Sequence, residues 1–455
     1  MEDTDPKPEL KASRRQLLRG GAALAVATAG SGLLSAAAAA PAAAANGTGP
    51  DTRGPGDAEV VVLRNVRPFG ESARDLICHG GVLVDRIPQG KRVFEINGRG
   101  RLALPTLVDA HIHPDKTGWG EKWQSRQPAA DRMVKAAQDV EFAKALSRPT
   151  AERALGLLQH AVAMGTRGVR AHADVAPAYG LSGLEGLRAA QQKLKLKGIL
   201  DMQVVGFPQH GVLRAPGTAE LLERAAAEGL LDYVGGIDPT AFEGADRASE
   251  QLDVLFRIAT SHGVGLDMHI HESGELGIAT IRDILARARA AGLTGGEVTI
   301  SHAYAIASLP VSEQERIADE IAAVGVKLTT VSPSPSSVLP HRRLREHGVH
   351  VGLGSDGVRD NWSPFGNADM LHRTWILGWS TGARLDDELE SGFDLASAGG
   401  AEVMELPEST LKVGAPADLM VIDGENIPQV VIDQPRRDYV LRSGVVVARD
   451  GEMVV

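Results

Sequence analysis

The sequence predicts an α/β protein: a (β/α)8 (TIM) barrel with a small β-sandwich formed by both ends of the mature chain. Three observations predict it. Eight short apolar runs alternate with helix-like stretches through the centre of the chain. Segments rich in β-forming residues flank that centre on both sides. Histidines and carboxylates fall at the C-terminal ends of the runs, the face on which such barrels carry their active sites. A length of 455 residues accommodates one large barrel and an appendage.

Ser13-Arg14-Arg15-Gln16-Leu17-Leu18-Arg19 is a twin-arginine core, followed by a Gly/Ala/Leu stretch to Ala40 and by the small residues Ala42 to Ala45. Residues 1–45 therefore read as a twin-arginine signal peptide, and the mature protein is expected to be periplasmic or extracellular. The stretch is too short and too rich in Ala and Gly for a membrane span. No cysteine stands near the cleavage region, so a lipid anchor is not expected. Residues 46–58 are a Gly/Pro/Asp-rich linker.

Residues 59–103 and 406–455 supply the two parts of the sandwich. Val60-Val61-Val62-Leu63 and Gly81-Val82-Leu83-Val84 typify the first part. Asp418-Leu419-Met420-Val421-Ile422 and Val445-Val446-Val447 typify the second. Residues 104–405 form the barrel. Its strands are read at Arg101–His113, Gly168–Asp174, Met202–Phe207, Tyr233–Ile237, Gly265–His269, Glu297–Ser301, Val326–Thr330 and Val351–Ser355. Helical periodicity lies between them, as in Arg153–Met164, Thr218–Ala227, Leu252–His262 and Ile278–Ala291. An open doubly wound sheet would want a Gly-rich phosphate turn after its first strand, where this chain has His111-Ile112-His113.

In an extended strand, residues two apart share a face, so His111 and His113 converge on one point. His269 ends the fifth strand, His302 follows the sixth and Asp356 follows the eighth. Together they can assemble a three-His, one-Asp mononuclear metal site that keeps a position for water. Cys78 is the only cysteine, so any metal must sit on His and carboxylates. The fourth strand ends in Gly235-Gly236-Ile237-Asp238, without the lysine that would bridge a second metal and with only Asp238 as a substitute, so a second metal is not expected.

Asp109-Ala110-His111-Ile112-His113, Val205-Gly206-Phe207-Pro208-Gln209, Met268-His269-x-x-Glu272, Ser301-His302 and Gly354-Ser355-Asp356 resemble the amidohydrolase superfamily, specifically its bacterial cytosine deaminase branch. Trp362-Ser363-Pro364-Phe365-Gly366-Asn367-Ala368-Asp369 extends the match, which runs from about Glu59 to the C-terminus. The resemblance implies His111, His113, His269 and Asp356 as ligands of one divalent ion, zinc or iron. It implies Glu272 as proton shuttle, His302 as the group steadying the oxygen being added, and Asp356 as acceptor of the water proton. Gln209 would hydrogen-bond a heterocycle, with Phe207 and Trp362 lining its pocket. The implied activity is hydrolytic deamination of a cytosine-like amino-heterocycle. A metal in such a site brings the pKa of water to about 7, and a poor amine leaving group needs a proton donor.

Two departures bear on the substrate. Gly357 stands where that branch has a second Asp, and His210 where it often has Glu. Glycine is expected to leave a void and a missing acceptor, favouring a substrate bulkier than cytosine over cytosine itself. Hydrolysis of a cyclic amide or an N-alkyl amine is the rival chemistry. A non-catalytic exported metal-binding protein is the rival class, and it gives Glu272, His302 and Gln209 nothing to do. A net charge of -10 argues against nucleic acid or an anionic membrane as partner and fits a small heterocyclic substrate. A homo-oligomer is compatible with the sequence.

Overall fold

A computed structural model describes residues 58–195, 198–332 and 337–455. The signal segment and nearly all of the linker lie outside the described residues. Eight parallel strands form the barrel: β6 (Leu107–Ile112), β7 (Thr166–Asp174), β8 (Asp201–Phe207), β9 (Tyr233–Ile237), β10 (Gly265–Ile270), β11 (Val298–His302), β12 (Lys327–Thr330) and β13 (Val351–Leu353), following β1 to β5 in the chain. They pair in sequence order. The barrel closes through a parallel bridge between Ile112 and Asp356.

The β6–β13 seam needs glycine. A side chain on Gly354 would meet Cβ of His111 at 2.5 Å, so only a bare backbone lets the two strand ends close. Asp109 pins the seam from within, accepting the Ser355 N–H at 2.9 Å and the Ser355 hydroxyl. Helices α2 (Thr150–Ala163), α3 (Ser182–Lys195), α4 (Thr218–Ala227), α6 (Ala248–His262), α7 (Gly274–Ala291) and α8 (Val311–Ala322) alternate with the barrel strands; α1 (Arg132–Lys144) and α5 (Pro239–Glu243) are additions on loops after β6 and β9. In α6, Leu252, Leu255, Phe256 and Ala259 face the core at helical spacing, and Gly263 ends the helix in the left-handed conformation. The barrel interior toward its N-terminal end is filled by Arg170, which reaches Asp267, Thr299, Gln203 and the Val403 carbonyl.

The second sheet has nine strands. Its first part is β1 (Val60–Pro68), β2 (Arg74–His79), β3 (Val82–Val84), β4 (Val93–Asn97) and β5 (Leu102–Pro105). Its second part is β14 (Leu419–Ile422), β15 (Arg437–Arg442), β16 (Val445–Arg449) and β17 (Glu452–Met453). Strand β5 joins the halves, pairing parallel with β1 and antiparallel with β14. Val61, Leu63, Leu76, Leu83, Leu419, Val421 and Leu441 make a core drawn from both ends of the chain. The run expected as one strand from Arg101 to His113 is two. Pro105 has no N–H to continue a ladder, the Thr106 N–H turns to the Asp418 carbonyl at 3.3 Å, and β6 begins afresh at Leu107. The eighth barrel strand stops at Leu353, because Ser355 and Asp356 spend their N–H groups on Asp109 and His111. Among the described residues no helix is long and apolar enough to cross a membrane.

Candidate metal centre and active site

The strand ends deliver a nest of buried imidazoles. His111 and His113 leave β6 on one face, His172 comes from β7, His269 from β10 and His302 from β11. Nε2 of His113 and Nε2 of His269 face each other at 3.3 Å. Oδ1 of Asp356 lies 3.4 Å from Nε2 of His113 and 3.8 Å from Nε2 of His111. Four ligands about 2.1 Å from a tetrahedral ion stand about 3.4 Å from one another. The three separations above are near that spacing, and the buried side chains close enough to share an ion also include His172, His302 and Asp267.

The protonation states fit as well. Burial, reinforced by the neighbouring imidazoles and, at His113, by Lys116, holds His111, His113, His269 and His302 well below the usual histidine range. They are neutral at pH 7, as ligands must be. Ser301 Oγ lies 3.0 Å from Nδ1 of His111 and donates to Asp267 at 2.7 Å. The serine thus receives the Nδ1 proton, and Nε2 keeps its lone pair for an ion. Nε2 of His111 has no hydrogen-bond partner among the described residues, a costly state for a buried acceptor unless something else binds there.

Three site residues sit in left-handed backbone just past their strands: Asp238 (φ 23°), His302 (φ 71°) and Asp356 (φ 60°). Such positions cost energy in non-glycine residues and gather where side chains must be re-aimed. The Asp356 side chain is 37% exposed while the imidazoles are sealed, so its carboxylate is the cluster's edge toward the pocket.

That pocket has a volume of about 430 Å³, within the range of small-molecule sites. His113, His269, His302, Asp356, Phe207, Gln209 and Trp362 line it, as the sequence placed them. Phe207 stacks on His269 with centroids 4.0 Å apart. Trp362 donates its indole N–H to Asp139 at 3.2 Å. A ring nitrogen of His302 lies within 4.8 Å of those of His111 and His269, close enough for the three to share an ion.

Glu272 is placed differently. The sequence sets it beside the metal water, but its carboxylate caps a helix instead. Oε1 accepts the N–H groups of Thr240 (2.8 Å) and Ala241 (3.1 Å) in the first turn of α5, and Oε2 accepts the Thr280 hydroxyl at 2.6 Å. It does not line the pocket. Those three donors outcompete the pocket for its two oxygens.

Gly357 also corrects an expectation. No void exists there. A Cβ at 357 would meet Oδ2 of Asp360 at 2.1 Å, so the Asp360 carboxyl already fills the space. Burial pushes that carboxyl up to about 8. His210 lies outside the pocket lining, with its ring 5.7 Å from that of Tyr179.

Sequence reasoning gave four residues of the site no catalytic or substrate-binding role. Lys116, three past His113, is buried and donates to Asp174 and to Oε1 of Gln209, both at 2.8 Å. Burial alone would drive it down, but Asp174, Asp139, Asp115 and Asp360 surround it and hold it charged. With Oε1 of Gln209 taken by Lys116, the glutamine's NH2 is left as a donor. His172 ends its strand in a His-x-Asp pattern that could have been read by the rule used for His111. His271 and Asp238 face each other across β10 and β9, a pairing that no local pattern reveals.

Over residues 95–455 the chain matches the amidohydrolase family. It is 30% identical over 399 residues to N-isopropylammelide isopropyl amidohydrolase of Pseudomonas sp. (strain ADP), covering 84% of this chain and 96% of that one. With an uncharacterized protein of Escherichia coli (strain K12) it shares 35% identity over 278 residues, 60% of this chain and 59% of that one. Among solved structures, N-isopropylammelide isopropylaminohydrolase from Burkholderia multivorans ATCC 17616 superposes with a TM-score of 0.80 at 35% identity. The match covers 87% of this chain and all of that one (100%). The 5-methylcytosine deaminase from Klebsiella pneumoniae, liganded with phosphonocytosine, superposes at 0.72 with 26% identity, over 87% and 99% of the two chains.

Proposed function

The chain belongs to the amidohydrolase family, and we propose that within it the protein hydrolyses the exocyclic carbon–nitrogen bond of an oxo-substituted triazine or pyrimidine, releasing an alkylamine. The observation that carries this reading is the convergence of His111, His113, His269 and Asp356 at the floor of a pocket whose far edge offers hydrogen-bond donors. One divalent ion, zinc or iron, would be held by those four; when bound it supplies acidified water and a Lewis acid.

The remaining roles belong to the chain's own groups. Lys116 and the Gln209 amide present N–H donors, which suits a ring bearing carbonyl oxygens rather than a bare amino ring. Phe207 and Trp362 line the space the ring would take. Ile237, Val331, Phe365 and Ile376 give the same pocket an apolar side where an alkyl substituent can be desolvated. His302 stands where the oxygen added to the ring carbon would need a donor. Asp356, partly exposed, takes the proton from the attacking water.

The similarity to two N-isopropylammelide hydrolases supports an alkylamine leaving group. Loss of ammonia is the second reading, supported by the likeness to 5-methylcytosine deaminase. The Arg14-Arg15 core supports export through the twin-arginine pathway. A panel of oxo-triazines and oxo-pyrimidines bearing amino or alkylamino groups, assayed separately for ammonia and alkylamine, tests the reading. Alkylamine release from at least one ring is expected; turnover of none of them would end it.

A further inference from the structure

Glu272 is locked onto α5, so the pocket needs another group to hand a proton to a departing amine. His271, its neighbour, is built for that. Its side chain is 17% exposed and lines the pocket. Its Nδ1 bonds Oδ2 of Asp238 at 2.9 Å. Asp238 is wholly buried, and its carboxylate also accepts Arg132 and the backbone N–H groups of His271 and Glu272, at 2.5, 2.5 and 3.0 Å.

An acidic oxygen held against Nδ1 keeps the proton on that nitrogen. Nε2 is then the atom left for the pocket, which His271 lines. The ring stacks on His302 with centroids 4.3 Å apart, one step outward from the ligand cluster. A base oriented by a buried carboxylate, with its second nitrogen facing substrate, is the arrangement general acid–base catalysis requires.

We propose that His271 is a catalytic residue that delivers a proton from Nε2 to the leaving amine, with Asp238 as its positioning residue. The inference rests on the proposed cleavage of an exocyclic carbon–nitrogen bond. Water adds to the ring carbon, a C–O bond forms, and the C=N electron pair passes to the ring nitrogen, which takes the proton that Asp356 has drawn from the water. The C–N bond to the amine then breaks. Nε2 takes the hydroxyl proton of the adduct as the ring carbonyl forms, and the departing amine nitrogen, which leaves with the electron pair, takes that proton from Nε2. The imidazole ends as it began, with its one proton on Nδ1. No oxidant or reductant is needed.

The test compares two leaving groups on one oxo-triazine ring: isopropylamino, which must be protonated to depart, and 4-nitroanilino, which departs far more readily without a proton. His271→Gln should lower turnover of the first about 10²–10⁴-fold and leave the second within about tenfold, with metal content per chain unchanged. Asp238→Asn should show the same bias more weakly. Should His271→Gln fail to fold, His271→Ala assayed with added imidazole replaces it, and rescue confined to the isopropylamino substrate is expected. Equal losses on both substrates, no loss on either, or no imidazole rescue would overturn the proposal. Wild-type protein inactive on both rings would instead overturn the carbon–nitrogen reading, and this inference with it.

Discussion

Two buried polar clusters leave the same strand, β6, within six residues of each other, and they behave in opposite ways. The first, around His111 and His113, links ring nitrogens and the Asp356 carboxylate through contacts of 3.3–3.8 Å. The second, around Asp115 and Lys116, gathers carboxylates of Asp174 and Asp139 about one ammonium, at 2.8 and 3.6 Å. The first is complete only with a ligand. The second sets one ammonium among several buried carboxyls, two of which burial raises to about 6, and its pairing fixes Lys116 and Gln209 at the pocket edge. What separates them is the cation: the first gathers neutral imidazoles about a site for an ion, and the second carries its own positive charge in Lys116.

Emptying the first cluster should have the largest effect. His111→Ala or His269→Ala should lose most of the metal, measured by elemental analysis, and lower turnover about 10³-fold or more, since metal catalysis supplies several kcal/mol. Breaking the second should cost stability before chemistry. Lys116→Met leaves buried carboxylates without their cation and should reduce unfolding free energy by about 3–5 kcal/mol in denaturant titrations at pH 7. If Lys116→Met were instead fully stable but inactive, the two clusters would not differ as described.

Smaller changes sharpen the contrast. Ser301→Ala removes the acceptor of the His111 Nδ1 proton and should weaken metal affinity about 10–100-fold by competition with a chelator. Gly357→Asp meets the Asp360 carboxyl and should cost about 1–3 kcal/mol through overpacking, with no shift of preference toward cytosine. Glu272→Gln still offers one carbonyl oxygen to α5, so a loss of about 0.5–1.5 kcal/mol and turnover within a few-fold of wild type are expected. A 10²-fold or greater fall in kcat for that variant would return Glu272 to the role that the resemblance implies.

The first cluster was legible in the sequence because strand geometry is local. An i, i+2 pair must share a face, and residues at parallel strand ends must share a rim, so His111, His113, His269, His302 and Asp356 could be placed before any coordinates. The two-ended second sheet was legible for a similar reason, from β-rich texture at both termini. What stayed hidden depends on competition between distant groups. Glu272 has the right residue type at the right spacing, but the sequence does not say that two free N–H groups of α5 and the Thr280 hydroxyl will claim it. Asp238 reads as the only substitute for a metal-bridging lysine until its partner His271 arrives from the next strand. Gly357 reads as a hole until Asp360 is seen to fold back into it. The break at Thr106 follows from Pro105, which the apolar run disguised.

The most direct test strips the wild-type protein of metal with a chelator, reloads it with zinc or iron in steps, and records metal per chain and turnover in the same samples. The account predicts that turnover rises in proportion to metal and saturates at about one ion per chain. Saturation at two ions per chain, or full turnover in the stripped protein, would contradict it.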